Sequence, residues 1–239
     1  MSPSGRSMNR ILSLLPPEDY ERVASRMERV RIPLGQVVCE PDEPVAFCYF
    51  PLTNVLSSVI ELNDGSAVEV AVIGNEGLAG VGLLVDERSN PHRLVQQVEG
   101  ESLRMPADAF RQALDESPAL RRVTERYVLT LLRQAGQNAA CNRHHTVEER
   151  MCRWLLATAD RVERDEFYIT QEFLGEMLGV RRQSVNLAAG LLQQAGLITY
   201  RRGNLRILDR GGLERAACEC YRVTNEAYER LMRVPGNGG

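Results

Sequence analysis

Residues 170–208 read TQEFLGEMLGVRRQSVNLAAGLLQQAGLITYRRGNLRIL, the pattern of a helix, a tight turn, a second helix and a hairpin. Thr170 is an N-cap residue type, and Phe173, Leu174, Met177 and Leu178 form an apolar stripe at helical spacing. Gly179 falls where the first helix has to turn. A second helix is expected from about Arg182 to Ala195. Val185, Ala188, Ala189, Leu191 and Leu192 would face inward, with Gly196 just past the end. Residues 197–200 and 205–208 are expected as two short strands, with Arg202-Gly203-Asn204 as the turn between them.

Charge separates this stretch from a merely structural helical hairpin. From Arg181 to Arg206 there are five arginines and no acidic residue. Arg181 and Arg182 open the second helix, and Arg201 and Arg202 sit at the hairpin tip. A helix that enters the DNA major groove presents its N-terminal residues to base edges, and a neighbouring hairpin can reach the phosphates. The whole chain carries a net charge of −3, so any affinity for nucleic acid has to reside in this local patch. All 29 basic residues are arginine, the side chain suited to bidentate contacts with guanine or phosphate.

The stretch resembles the winged helix–turn–helix of the Crp/Fnr family of bacterial transcription regulators. The resemblance is carried by Thr170-Gln171-Glu172, Leu174-Gly175, Leu178-Gly179-Val180, Ser184-Val185 and residues 192–198. It implies that Arg182 and Gln183 read bases and that Ser184 meets a phosphate. Leu187 stands where many members carry a further arginine, a departure that bears on the target sequence. The candidate DNA-contacting set is Thr170, Gln171, Arg181, Arg182, Gln183, Ser184, Asn186, Arg201 and Arg202.

Upstream, Thr146-Val147-Glu148-Glu149 is a capping box opening a helix through Met151, Trp154, Leu155 and Val162. Before it, Ser117-Pro118 supplies an N-cap and an N1 proline for a long helix to about Asn142. That helix has two apolar faces. Val128, Leu132, Ala135 and Ala139 make one; Leu120, Val123, Tyr127 and Leu131 make the other. One surface of the chain can cover one face, and a second copy is expected to cover the other, with Gln134, Gln137 and Asn138 setting the register of the seam. Residues 142–145 are expected to be the hinge.

Residues 31–104 have another texture: short β-branched runs at 36–39, 46–50, 55–62, 67–73, 94–98 and 102–105, separated by turn signals. Among these signals, Asp64-Gly65 marks a hairpin. Such spacing predicts an antiparallel barrel or jelly roll. Residues 8–30 read as a helical entry broken at Pro16-Pro17, and Pro106 starts a further helix. Residues 213–232 are expected as one final amphipathic helix, and the tail 234–239 as disordered.

The expected fold class is therefore α+β: an antiparallel β-barrel or jelly roll at residues 8–116, a dimerisation helix and hinge at 117–145, and a winged helix–turn–helix at 146–239. This is the Crp/Fnr order, so the resemblance spans nearly the whole chain. It implies a cyclic-nucleotide-binding-like sensor, a homodimer on palindromic double-stranded DNA, and contact with RNA polymerase. Family members that bind cyclic AMP present a Gly-Glu pair for the ribose and an arginine for the phosphate. The comparable positions are Gly80-Val81 and Arg88-Ser89. Valine replaces the carboxylate, so the usual cyclic AMP contact is expected to be missing and the effector is unidentified.

Two readings of the barrel stay open, a ligand-responsive sensor and a dimerisation scaffold. A metal-dependent protein built on Cys141, His144, His145 and Cys152 is the alternative from another class, although convergence of those four is not implied by their spacing. No cofactor or metal is expected: Cys218-Glu219-Cys220 on a helix would point its thiols about 200° apart, and no cysteine precedes Cys39 to hold the iron–sulfur cluster of oxygen-sensing members. Glu61, Asp64 and Glu69 are expected to be solvated. There is no phosphate loop, nucleophile elbow or His-Glu-x-x-His, so an enzyme is not expected. No apolar run approaches a membrane span, residues 1–10 lack the apolar segment of a signal peptide, and dispersed cysteines fit the reduced cytoplasm.

Overall fold

The structure, a computed structural model, describes residues 9–233. Met8, at the expected start of the first domain, and the tail 234–239 lie outside the described residues. The chain enters through α1 (Arg10–Ser13) and α2 (Pro17–Ala24). Asn9 caps α1 by accepting from the Ile11 and Leu12 amides, while its own amide donates to the Pro51 and Gly77 carbonyls at 2.9 and 2.8 Å.

Seven strands follow: β1 (Glu28–Ile32), β2 (Val37–Cys39), β3 (Phe47–Pro51), β4 (Val55–Glu61), β5 (Ala67–Ile73), β6 (Arg93–Val98) and β7 (Gly100–Pro106). They form two antiparallel sheets, ordered β1-β7-β3 and β2-β6-β4-β5. The result is a jelly-roll-like pair of sheets and not a closed barrel. Ile32, Tyr49, Leu56, Ile73 and Leu94 come from both sheets and share one core. The Asp64-Gly65 turn joins β4 to β5, with Gly65 at positive φ and the Asp64 carboxylate accepting from the Ser66 amide. Sequence periodicity missed β1, whose ERVRI alternates charge with branched residues. Its charges are used across the strands: Arg29 pairs with Glu101 at 2.9 Å and Glu28 with Arg104 at 2.5 Å.

After α3 (Ala107–Glu116), Ser117 caps α4 (Pro118–His144) by accepting from the Leu120 amide. The helix runs to His144, and His145 is its extended C-cap, so the chain bends at His145-Thr146 and not across 142–145. Arg143 and His144 occupy the last turn, where cations favour helix continuation. Leu120, Val123 and Tyr127 are buried against the N-terminal helices, while Leu132 is 69% exposed on the opposite side. Gln134 and Asn138 do not lie on that open side. Gln134 Oε1 accepts from the Val72 amide at 2.8 Å and Asn138 Nδ2 donates to the Val70 carbonyl at 3.0 Å, so both bind α4 to β5. They satisfy backbone groups within the chain instead of setting a seam.

The C-terminal half comprises α5 (Val147–Val162), β8 (Glu166–Tyr168), α6 (Gln171–Leu178), α7 (Arg182–Gln194), β9 (Ile198–Arg201), β10 (Asn204–Ile207), α8 (Arg210–Ala216) and α9 (Cys220–Met232). The predicted single helix over 213–232 is two helices, separated by extended Ala217. Thr146 and Glu149 form the capping box of α5. The wing is three-stranded, β8-β10-β9, because β8 adds to the hairpin.

The two halves share a continuous core. Met151, Trp154, Leu155 and Ala159 of α5 cluster with Val55, Val59, Val72, Val95 and Val98 of the sheet. Polar groups thread this contact: Gln97 Nε2 donates to Thr158 Oγ1 at 3.0 Å, and Arg161 Nε to Glu76 Oε1 at 2.9 Å with both side chains only 5% exposed. Glu69, expected at the surface, is buried here, accepting from Ser57 Oγ at 2.6 Å and Trp154 Nε1 at 3.2 Å. Burial pushes its carboxyl up to about 7, with Arg153 and Arg161 acting in the other direction.

Candidate nucleic-acid interface

The geometry of the helix–turn–helix follows from three local devices. Thr170 Oγ1 accepts from the Phe173 amide at 3.1 Å and starts α6. Gly179, at φ 61°, ends it in the left-handed region, where a side chain would be strained, and the Val180 amide closes onto the Gly175 carbonyl at 2.9 Å. Arg181 is then the N-cap of α7, with no side-chain cap and no acidic residue in the first turn. The open amides at this helix end favour an anion.

Arg181, Arg182, Gln183 and Asn186 are exposed on α7 and Ser184 is half-buried. Gln171 Nε2 donates to Asn186 Oδ1 at 3.3 Å, tying the start of α6 to the exposed face of α7. Val185, Ala188, Ala189 and Leu192 are buried as expected. Leu191 is not: it is 47% exposed, as Leu187 is at 66%. The wing is held to this unit by Tyr200, whose amide donates to Gln193 Oε1 at 3.0 Å and whose hydroxyl donates to the Ile169 carbonyl at 2.8 Å. Its turn is Arg202-Gly203, both at positive φ in the manner of a type I′ turn, and Asn204 already pairs with Arg201. Arg201, Arg202 and Arg206 are exposed, and none of the five arginines of this surface has an ion-pair partner among the described residues. A cleft of about 680 Å³ is lined by Gly179, Arg181 and Arg182 together with Gly65, Ser66 and Val68 of the β4–β5 hairpin, and Gly179 packs close against Val68.

Residues 149–216 match the Crp-like helix-turn-helix domain. No curated protein sequence matches the chain. Among solved structures, FixK2 from Bradyrhizobium japonicum superposes with a TM-score of 0.68 at 17% identity, covering 80% of this chain and 98% of that one. The c-di-GMP responsive global regulator CLP of Xanthomonas campestris gives 0.64 at 18%, covering 81% and 100%. TTHB099, a CRP-family transcriptional regulator from Thermus thermophilus, gives 0.64 at 20%, covering 79% and 96%. Residues 149–216 are thus a Crp-like helix-turn-helix domain, and the chain as a whole has the fold of these regulators.

Among the described residues, Gly80 and Val81 do not line the cleft beside Arg88. Gly80, at φ 103°, leads into the 3-10 turn Val81–Val85, and Val81 packs in the core beneath α3 and α4. Arg88 instead points outward, 3.5 Å from Asp108, and the Ser89 amide and hydroxyl donate to Glu87 Oε1 at 2.9 Å. A shallow cleft of about 200 Å³ beside Arg88 is lined by Leu83, Asp108 and Arg111 and lacks Val81.

The Cys141/His144/His145/Cys152 set does not converge either. His144 is exposed, and Cys152 is buried in the inter-half core, where burial pushes its thiol up to about 12. Cys141 and His145 do come together, but with Cys218 and Cys220 of the α8–α9 junction. The signal that would have placed those two was absent, because a helical reading of 213–232 sends their thiols to opposite sides. Among the described residues no helix is long and apolar enough to cross a membrane.

Proposed function

We propose that the protein is a homodimeric, sequence-specific transcription regulator whose α7 reads the major groove of a palindromic operator in the cytoplasm. The observation that carries this reading is the exposed, acid-free arginine surface at the start of α7 and the tip of the wing. Arg182 and Gln183 read base edges, with Arg182 bidentate to a guanine. Arg181, Ser184, Arg201 and Arg202 meet phosphates, and Thr170, Gln171 and Asn186 hold α6 against the backbone and the face of α7. Leu187, exposed one turn beyond Gln183, gives an apolar contact suited to a thymine methyl.

Leu129 and Leu132, 67% and 69% exposed on α4, together with half-buried Val128 and Ala135, are the face on which a second copy packs. Half-sites then lie one helical turn apart, about 34 Å, or a multiple of that. Residues 8–116 act as the regulatory unit, 117–145 as dimerisation helix and hinge, and 146–239 as the DNA-binding unit. Contact with RNA polymerase follows from the family resemblance. The role is regulatory and not catalytic, and the sensor does not take cyclic AMP through the family's ribose carboxylate, since Val81 offers none.

Selection of bound duplexes from a random pool, followed by sedimentation of the complex, tests this. The expected result is a palindrome occupied by two chains. A monomer that retains full DNA affinity would overturn it.

A further inference from the structure

We propose that Cys141, His145, Cys218 and Cys220 form a tetrahedral zinc site that clamps the end of α4 to the junction of α8 and α9. The four ligand atoms all lie within 4.8 Å of one another. Cys141 Sγ is 3.5 Å from Cys218 Sγ, and Cys220 Sγ is 3.6 Å from His145 Nδ1. Zinc–sulfur bonds of about 2.3 Å and zinc–nitrogen bonds of about 2.0 Å give tetrahedral edges of roughly 3.5–3.8 Å. The two measured edges therefore already have the spacing of a coordinated set, and neither is a disulfide, whose sulfurs are about 2.05 Å apart.

Two features around the four atoms belong to metal sites. His145 turns Nδ1 into the cluster while its Nε2 lies 3.1 Å from Glu219 Oε2, the carboxylate–histidine arrangement that orients a metal-bound imidazole. Gln137 Nε2 donates to Cys220 Sγ at 3.0 Å, a bond that favours thiolate over thiol.

The path of the chain is the independent observation. Residues 213–220 are Leu-Glu-Arg-Ala-Ala-Cys-Glu-Cys, without glycine, proline or asparagine, yet the helix stops at Ala216 and restarts at Cys220. No local residue breaks it. The interruption is what brings Cys218 and Cys220 to one side, toward Cys141.

Three soft thiolates and one imidazole in a closed tetrahedron select zinc and leave no open position for catalysis. On binding, each thiol gives its proton to solvent, and the resulting site charge of −1 is met by Arg153, whose field acts on Cys141.

The test uses untagged full-length protein purified in reducing buffer without chelator. Elemental analysis should find one zinc per chain. Anaerobic cobalt titration of chelator-stripped protein should give the visible absorption of tetrahedral thiolate coordination. Cys218→Ser and His145→Ala should lose the metal, while Cys39→Ser, outside the cluster, should keep one zinc. The stripped protein should melt at a lower temperature and recover on adding zinc. Should a variant fail to fold, the cobalt titration of the unaltered chain still decides. Reduced protein that neither carries zinc nor develops the cobalt spectrum overturns the proposal, as does zinc that survives Cys218→Ser combined with Cys220→Ser, or a Cys141–Cys218 disulfide in place of metal.

Discussion

Arginine plays opposite parts in two regions of this molecule. On α7 and the wing, Arg181, Arg182, Arg201, Arg202 and Arg206 are exposed, with no carboxylate partner among the described residues. On α5, Arg150, Arg153 and Arg161 are buried: the first donates to the Leu178 carbonyl, the second to Asn138 Oδ1 at 3.0 Å, and the third to Glu76 at 2.9 Å. The difference teaches that the type of residue does not assign its role. An unpartnered surface cation remains available to an external anion, whereas each buried one commits a donor to a fixed partner within the chain, and Arg161 ties the two halves together.

The largest effect should come from the buried set. Arg161→Ala leaves Glu76 as an uncompensated buried charge and should cost about 3–5 kcal/mol of folding stability, read by chemical denaturation. A loss no greater than that from Arg181→Ala would erase the contrast. Next is the pH response of the same interface. Because the Glu69 carboxyl is raised to about 7 when folded, the folded chain holds a proton that the unfolded chain releases near pH 4.5. Stability from this group is thus fully present below pH 4.5, declines up to about pH 7, and falls by up to about 3 kcal/mol in all. Glu69→Gln, which keeps an acceptor and removes the titration, should flatten that part of the melting-temperature profile. A slope unchanged in the variant would assign it to other groups.

On the exposed set, Arg182→Ala should leave the melting temperature almost unchanged. It should weaken operator binding by roughly 1–3 kcal/mol and relax preference at one base pair per half-site, seen by repeating the selection with the variant. The smallest effect belongs to Arg202→Asn, which suits the positive φ of the turn. It should lower affinity for every sequence and reduce the salt slope by about 1 per subunit. Equal, sequence-blind losses from both substitutions would collapse the division between base-reading and phosphate-meeting arginines.

Much of this was legible in the sequence where the cause is local. Thr170, Gly179, Ser117 and the Thr146–Glu149 box announce helix ends because their hydrogen bonds form within a few residues. Asp64-Gly65 announces its turn for the same reason. What stayed hidden depends on distant partners. Glu69 looks like a surface carboxylate until Trp154, 85 residues on, donates to it. Gln134 and Asn138 look like seam residues until β5 is known to lie beside them. β1 was lost because its cross-strand charge pairs imitate a polar helix end. For the candidate DNA surface, exposure and charge were readable from 181–206, while the outward position of Leu191 required the packing of α7 on its neighbours.

Helix α9 has a consequence for motion. It leaves the DNA-binding half and returns to α4, where Arg126 Nη2 donates to the Arg230 and Arg233 carbonyls at 2.8 and 3.1 Å and Gln134 Nε2 to Tyr228 Oη at 2.8 Å. The half beyond His145 is therefore not a pendulum on one pivot but part of a closed linkage, held at the bend, through α9 and through the core that α5 shares with the sheet. It can swing only if α5 slides on the sheet and α9 along α4, a shear that turns rotation at one end into translation at the other. A protease that nicks the chain at His145-Thr146 should accordingly yield two fragments that stay together on a sizing column.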